Sequence, residues 1–244
     1  MTLPKGRRAD VFLVERGFAA SRAEAQAAIE AGRVRADGKA VAKSSQVITD
    51  TAEIDYTPAH PYVSRGALKL IAALDRFGVS PDGLVCLDIG ASTGGFTEVL
   101  LERGAVKVYA VDVGHGQLHA KIAKDPRVIS LEGVNARELS LPERPSLIVA
   151  DVSFISLKLA LAPALAFAPS GARLVVLVKP QFEVGSEGVG KGGIVRDERD
   201  RLAALDSIKT WLSRDQKWDV VATMESPVEG GDGNKEYLLT AKKP

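Results

Sequence analysis

The chain has 244 residues, of which 45% are hydrophobic and 26% charged, as in an ordinary soluble globular protein. No run approaches the roughly 20 apolar residues of a membrane span, and the basic N-terminus has no apolar core behind it, so neither a membrane protein nor a secretory signal is indicated. The single cysteine, Cys86, lies in the apolar run "LVCLDIG" and excludes a disulfide within the chain, so we expect a cytoplasmic protein.

The first 43 residues carry most of the charge asymmetry, with nine Lys or Arg against five Asp or Glu. Apolar residues at helical spacing predict a helix over residues 8–17. Ser21 and Glu24 form a capping box that predicts a second helix, which ends at Gly32. Short strands with a turn at Asp37-Gly38 follow. We therefore predict a small α+β domain.

A basic surface on this small domain indicates nucleic acid as a partner. The alternative is a solvated basic face without a ligand. Folded RNA suits contacts to shape and backbone, because side chains read its deep groove poorly. The candidate phosphate contacts are Arg7, Arg8, Arg22, Arg33, Arg35 and Lys39.

The stretch "TPAHPY" at residues 57–62 holds two prolines and predicts a linker. We place the first domain at residues 1–58, the linker at 59–63 and a second domain at 64–244.

Strands alternate with helices in the second domain. The predicted helices cover 64–77, 95–103, 116–124, 156–167 and 197–213, and the predicted strands cover 84–90, 106–113, 128–133, 147–153, 174–180, 218–226 and 236–242. This alternation predicts an α/β fold with a mostly parallel, doubly wound sheet, because parallel strands need crossover helices. The last two strands are close enough in sequence to pair as an antiparallel edge.

The segment "DIGASTGGF" at residues 88–96 forms the first strand-to-helix turn of this sheet, where cofactors bind in such folds. Its glycines do not match the dinucleotide fingerprint, which disfavours a nicotinamide cofactor. A turn of this kind suits S-adenosylmethionine, and Asp112 ends the next strand where it can accept hydrogen bonds from an adenosine ribose. A turn without a ligand is the alternative. The segment supplies the candidates Asp88, Gly90, Ser92, Gly94 and Gly95.

Two other patterns do not support a site. The segment "GSEGVGKG" at residues 185–192 resembles a phosphate loop but has Gly192 where a magnesium-binding hydroxyl is needed. His115 and His119 are spaced for one helix face but have no third ligand nearby, so we expect no metal site.

Charged residues converge on the predicted carboxyl edge of the sheet. Lys179 ends the apolar run "RLVVLV", and Pro180 stops that strand. Asp151 also ends a strand, Lys69 lies on the helix before the first strand, and Glu236 begins the last strand. Each is individually typical of a surface charge, but two lysines and two acids at one edge would form a proton-handling site.

The chain resembles the TlyA-type (haemolysin A) family of ribosomal RNA 2'-O-methyltransferases. The resemblance covers the whole chain and rests on "SRAEAQAAIEAGRV", "YVSRGALKL", "DIGASTGGFT", "ADVSFISL", "VKPQFEVG", "GKGGIVRD" and "GNKEYLL". The sequence departs from the family at Ala67, where a second glycine is common, and in the linker "AHPY", where some members have tryptophans.

The resemblance implies an S4-like RNA-binding domain before an FtsJ-type domain with a Rossmann-like methyltransferase fold, a seven-stranded sheet with helices on both faces. It implies S-adenosylmethionine as cofactor, ribosomal RNA or a ribosomal subunit as partner, and a cytidine as target. By motif, the catalytic tetrad falls on Lys69, Asp151, Lys179 and Glu236. By analogy, Phe96 and Asn135 line the cofactor pocket.

The implied mechanism makes Lys179 the general base, with Asp151 orienting both lysines and Glu236 completing the network. A base must be neutral when it acts, and a coupled cluster can hold one proton fewer than its lysines would carry separately. Two alternatives are a membrane-active cytolysin, for which the sequence offers no amphipathic or secreted segment, and an RNA-binding protein without catalysis, which the complete tetrad disfavours.

Overall fold

The computed structural model describes residues 6–19, 21–185, 188–190, 192–230 and 233–244. The chain divides into two compact units, Met1–Pro61 and Tyr62–Pro244. Part of the phosphate-loop-like segment, including Lys191, lies outside the described residues.

The N-terminal unit is a small α+β domain. Its helices are α1 (Ala9–Glu15) and α2 (Arg22–Glu30), and its strands are β1 (Gly6–Arg8), β2 (Val34–Ala36), β3 (Lys39–Ala40), β4 (Val47–Thr49) and β5 (Ile54–Tyr56). Strands β1 and β4 pair antiparallel, and a second sheet has the order β3-β2-β5. Buried Phe12, Leu13 and Ile29 form the core between the helices and strands.

The structure confirms the helix cap and the tight turn that the sequence predicts in this unit. Ser21 caps α2, and its Oγ accepts a hydrogen bond from Glu24 N at 3.2 Å. The Oε1 atom of Glu24 accepts a hydrogen bond from the Tyr56 hydroxyl at 3.1 Å. Asp37 and Gly38 both have positive φ, 49° and 72°, and make the tight turn between β2 and β3.

The second unit is built on a seven-stranded sheet. Its strands are β6 (Val85–Ile89), β7 (Lys107–Asp112), β8 (Val128–Glu132), β9 (Leu147–Ala150), β10 (Arg173–Val178), β11 (Asp219–Glu225) and β12 (Tyr237–Lys242). The order is β11-β12-β10-β9-β6-β7-β8, and β12 alone runs in the direction opposite to the other six strands. The predicted mostly parallel sheet is confirmed. The last two strands pair antiparallel as expected, but β12 lies inside the sheet and only β11 forms the edge.

Helices cover both faces of this sheet, as expected. They are α3 (Gly66–Phe77), α4 (Gly95–Glu102), α5 (Ala120–Ala123), α6 (Leu157–Phe167), α7 (Pro180–Glu183) and α8 (Glu198–Arg214). Helices α3 and α4 bury Leu70 and Leu100 on one face, and α6 and α8 bury Leu161 and Ile208 on the other. Each leucine that is fully removed from water contributes about 1.5–3 kcal/mol, so the two apolar layers hold the sheet rigid.

The predicted helix over 116–124 is wrong in its first half. Gly116 has a φ of +64°, which breaks the helical backbone, and α5 starts only after His119. Glu132 holds the preceding loop by accepting hydrogen bonds from the backbone N–H groups of Gln117 and Leu118 at 2.8 and 3.1 Å. His115 and His119 therefore do not share a helix face.

Candidate active site

A cleft of about 560 Å³ opens where the carboxyl ends of β6, β7 and β9 meet. The carboxyl edge of an open parallel sheet is where ligands bind in such folds. Of the residues expected to hold a cofactor, four border the cleft: Gly90, Ser92, Asp112 and Asn135.

Gly90 allows two strand ends to approach each other at the floor of this cleft. Its φ is +83°, and a Cβ at this position would lie 2.6 Å from the carbonyl oxygen of Asp151. Any side chain would therefore push β6 and β9 apart. Position 90 therefore requires glycine for two reasons, the close approach of the Asp151 backbone and its own positive φ.

Asp112 ends β7 and organises the turn opposite. Its Oδ2 accepts a hydrogen bond from Ser92 N, and its Oδ1 accepts one from Gly114 N, both at 2.8 Å. A carboxylate oxygen accepts more than one hydrogen bond, so both oxygens keep capacity for a ligand's hydroxyl groups. The carboxylate is thus fixed in direction before anything binds.

Two residues that border the cleft have backbone conformations unusual for non-glycine residues. Ser92 has a φ of 48° and Phe154 a φ of 64°. Such conformations cost about 1–3 kcal/mol each and persist where the surroundings impose them, commonly at functional sites. Their position at one cleft supports a functional assignment of this region.

The other expected cofactor residues are not among those that line the cleft. Phe96 is 3% exposed and packs in the core formed by α3 and α4, so the expectation that it lines the pocket is not met. Gly94 and Gly95 form the N-terminus of α4, where Gly94 has a φ of +97°. The aromatic ring is buried because position 96 faces inward on the first turn of α4.

Asp88 is fully buried beside these residues. Its Oδ2 accepts a hydrogen bond from the Thr97 hydroxyl at 2.7 Å, while its Oδ1 has no partner among the described residues. Burial raises the pKa of Asp88 to about 7, and the nearby carboxylates of Asp151 and Asp112 add to that rise.

Lys179 is the residue that follows β10, and its ammonium group lies between two partners. Its Nζ is 2.5 Å from Asp151 Oδ1 and donates a hydrogen bond to Ser153 Oγ at 2.8 Å. Pro180 stops the strand and occupies the first position of α7, where its missing N–H costs nothing. Asp151 and Ser153 both border the cleft, so Lys179 is held at its edge.

Lys69 forms the second ion pair of this region. Its Nζ is 2.6 Å from Glu236 Oε2, and both side chains are almost fully buried. The partner of Lys69 is thus Glu236, whereas the expectation was that Asp151 would orient both lysines. A buried carboxylate and ammonium need each other, because an unpaired buried charge is costly.

The two ion pairs lie close together on the sheet. Val178 pairs with Tyr237 at the end of the β10–β12 ladder, so Lys179 and Glu236 are the next residues of the two strands. A Cβ at Gly66, one turn before Lys69, would lie 3.5 Å from Asp151 Oδ2. The four residues therefore converge on one edge of the sheet.

Two residues that hold this edge were missed by sequence reasoning. Asn234 is 1% exposed, and its amide accepts from Val195 N and donates to the Gly193 carbonyl at 3.0 and 2.9 Å. Glu183 accepts from Ser156 Oγ at 2.6 Å and from Leu157 N at 2.8 Å. Both link segments that are distant in sequence, so no local pattern indicates them.

The six basic candidates of the N-terminal unit are all exposed. Three of them also have acidic partners: Arg7 pairs with Glu15 and Asp50, and Arg8 and Arg22 both pair with Asp10. Arg35 donates to the carbonyl of Gly38 at 3.0 Å. Four of the six basic side chains are therefore held by contacts within the N-terminal unit.

Family models match both units. The model of the FtsJ-like methyltransferases matches residues 62–243, and the S4 domain model matches residues 7–54. Among the described residues, no helix combines the length and apolar character needed to cross a bilayer.

Similar proteins extend over nearly the whole chain. It is 46% identical to the 16S/23S rRNA (cytidine-2'-O)-methyltransferase TlyA of Mycobacterium tuberculosis, covering 95% of this chain and 88% of that protein. It is 42% identical to Hemolysin A of Brachyspira hyodysenteriae, covering 95% and 98%.

Solved structures of other proteins are also similar to this chain. A Streptococcus thermophilus protein named as a hemolysin is 39% identical with a TM-score of 0.77, covering 99% of this chain and 90% of that one. The N-methyltransferase NodS of Bradyrhizobium japonicum, at 17% identity and a TM-score of 0.52, shares the fold, covering 74% of this chain and 98% of its own. The chain therefore belongs to the FtsJ-like methyltransferase family, and an S4 domain precedes its methyltransferase part.

Proposed function

We propose that this protein transfers a methyl group from S-adenosylmethionine to a ribose 2'-hydroxyl of ribosomal RNA, with Lys179 as the general base. The observation that carries the proposal is the contact of 2.5 Å between Lys179 Nζ and Asp151 Oδ1 at the edge of the cleft. A ribose hydroxyl is a poor nucleophile at neutral pH, so a positioned proton acceptor is what this reaction needs.

The cleft fits the proposed cofactor. The volume of about 560 Å³ lies in the usual range for small-molecule sites. Asp112 offers carboxylate oxygens to a ribose, Asn135 borders the same cleft, and Gly90 lets the ends of β6 and β9 approach each other at its floor. When bound, S-adenosylmethionine supplies an electrophilic methyl group on a sulfonium.

The acid–base work falls to the chain's own residues. The neutral amine of Lys179 takes the proton of the 2'-hydroxyl, and the resulting ammonium is stabilised by the Asp151 carboxylate. The hydrogen bond that Lys179 Nζ donates to Ser153 Oγ at 2.8 Å orients the amine, so that its lone pair can point away from the serine. The separate pair of Lys69 and Glu236 is buried close to this edge of the sheet, where its two charges balance each other.

Nucleic acid as substrate is supported by two features. The first is the S4 domain model together with the exposed basic residues of the N-terminal unit. The second is the side chain of Phe154, which is 92% exposed at the rim of the cleft. An exposed aromatic ring can stack on an unpaired base, which is how proteins commonly hold single nucleotides of folded RNA.

The relatives' names supply the substrate class. TlyA of Mycobacterium tuberculosis is named as a 16S/23S rRNA (cytidine-2'-O)-methyltransferase, and TlyA of Campylobacter jejuni as a 23S rRNA (cytidine-2'-O)-methyltransferase. By that similarity, we propose a cytidine of ribosomal RNA as the target.

The proposal is tested by mapping 2'-O-methylation on ribosomal RNA. Ribosomal subunits from cells that lack the gene are incubated with S-adenosylmethionine, with and without the protein. We expect one or two new 2'-O-methylcytidines that appear only with the protein. The absence of any new 2'-O-methyl group on either subunit would contradict the proposal.

A further inference from the structure

Asp10 is a fully buried carboxylate at the basic surface of the N-terminal unit. It lies in the first turn of α1 and accepts hydrogen bonds from three side chains. Arg8 Nε and Nη2 donate to its two oxygens at 3.0 and 3.1 Å, which is the bidentate fork of an arginine–carboxylate pair. Arg22 Nη2 and Gln26 Nε2 each donate to Oδ2 at 2.9 Å.

The two arginines on this carboxylate are exposed. Their side chains are 49% and 59% accessible, whereas Asp10 itself is 0% accessible. Because both Nη2 atoms bond the same Oδ2, the guanidinium groups of Arg8 and Arg22 lie side by side. The N–H groups that Asp10 does not engage remain available to an anion in solution.

The carboxylate is held ionised in this arrangement. The hydrogen bond from Arg8 is the main cause that holds the pKa of Asp10 well below its usual range, and Gln26 and Arg22 act in the same direction. Asp10 Oδ1 also accepts from Val11 N at 3.0 Å, which fixes the carboxylate to the helix. The result is a fixed carboxylate beneath the two exposed arginine side chains.

We propose that Asp10 is a positioning residue that presents Arg8 and Arg22 as a preformed pair for the phosphate backbone of folded RNA. The proposal rests on the RNA-directed function proposed above. It gives Asp10 a part in RNA binding, although its negative charge alone would repel the phosphate backbone. Long arginine side chains lose conformational entropy when they bind, so holding them in place beforehand reduces the cost of binding.

Net charge and the positioning role predict opposite effects on RNA binding when the charge of Asp10 is removed. Replacing Asp10 with asparagine removes a negative charge from the basic surface, and charge alone would then strengthen RNA binding. If Asp10 positions the arginines, binding weakens instead.

The test compares Asp10→Asn with Glu30→Gln in the full chain. Glu30 is an exposed acid at the end of α2, so its replacement raises the net charge equally and leaves the arginine pair untouched. The probe is protein-free ribosomal RNA, titrated at several salt concentrations. We expect Asp10→Asn to bind about three- to tenfold more weakly, with a salt slope lower by about 1, and Glu30→Gln to bind as well as or better than the unchanged protein.

The same substitution in a protein that lacks both arginines distinguishes the positioning role of Asp10 from a purely structural one. In the Arg8→Ala/Arg22→Ala protein, Asp10→Asn should change affinity by less than about twofold, because the groups it positions are gone. An equal loss in both backgrounds, or tighter binding by Asp10→Asn in the unchanged background, would overturn the inference.

Arg8→Lys keeps the inference testable if Asp10→Asn does not fold. Lysine retains the charge but cannot form the fork, so we expect it to lose most of the affinity that Arg8→Ala loses. Full affinity of Arg8→Lys would overturn the inference. If the unchanged protein itself fails to bind ribosomal RNA, the proposed function fails, which is a different outcome from failure of this inference.

Discussion

Two lysine–carboxylate pairs of the methyltransferase unit differ in the exposure of their acids. The Glu236 side chain is 2% accessible and that of Asp151 is 21%, and Asp151 borders the cleft. A pair that is sealed from solvent is out of reach of an RNA hydroxyl group, whereas a pair at a cleft can contact a ligand. This difference supports Lys179, rather than Lys69, as the proton acceptor.

Asp112→Ala is expected to weaken S-adenosylmethionine binding by at least about tenfold, because a charge-assisted hydrogen bond contributes roughly 1.5–3 kcal/mol. Calorimetry measures this affinity. The matched control is Glu132→Ala, which also removes an acceptor of two backbone N–H groups near the cleft but does not border it. Equal effects of the two variants would mean that Asp112 acts only by holding its loop.

At the scale of elements, α6 is held at both ends by side chains from other segments. Glu183 accepts from Ser156 Oγ and Leu157 N at its first turn. Lys243 Nζ donates to the carbonyl oxygens of Leu165, Ala166 and Ala168 at 3.0, 3.2 and 2.7 Å at its last turn. Such contacts satisfy the polar groups that a helix leaves unpaired at its ends. Only the first end adjoins the segment that carries Asp151 and Ser153.

Glu183→Ala and Lys243→Met should therefore separate stability from function. Each is expected to lower the free energy of unfolding by about 1–2 kcal/mol, measured by denaturant titration. Glu183→Ala should also reduce methyl transfer several-fold, because the loop that positions Lys179 loses its anchor, whereas Lys243→Met should leave turnover unchanged. Equal turnover in the two variants would show that the anchor does not matter for catalysis.

The sequence predicted those elements whose signals are local. Asp112 could be placed at a strand end because an apolar run leads directly to it, and Ser21 could be identified as a cap from its spacing to Glu24. The helix over 116–124 was overextended because its composition resembles a helix, while the positive φ of Gly116 depends on the loop around it.

Other features depend on tertiary contacts that no local pattern encodes. Phe96 lies within a cofactor motif, yet the packing of α4 against α3 turns its ring into the core. The pairing of Lys69 with Glu236 joins residues 167 positions apart. In the sequence, Asp10 is an ordinary acid in the first turn of a helix. Its role depends on Arg22 and Gln26 of the next helix, which both donate hydrogen bonds to its carboxylate.

At the scale of the whole molecule, the two compact units suggest a division between RNA anchoring and chemistry. A fragment that begins at Pro61 is expected to fold and to bind S-adenosylmethionine as the full chain does, because the cleft is built within Tyr62–Pro244. It should bind ribosomal RNA much more weakly and with a shallower salt dependence. Methylation by the fragment at the rate of the full chain would show that the N-terminal unit is not the substrate anchor.

The central claim, that Lys179 is the general base, is tested most directly by the turnover of Lys179→Arg on ribosomal subunits at saturating S-adenosylmethionine. Arginine keeps the positive charge and can keep the ion pair with Asp151, but its guanidinium cannot give up a proton at any usable pH. We expect turnover to fall by at least about a hundredfold while cofactor affinity stays within about threefold, as in Lys179→Ala. Near-complete turnover by Lys179→Arg would contradict the account.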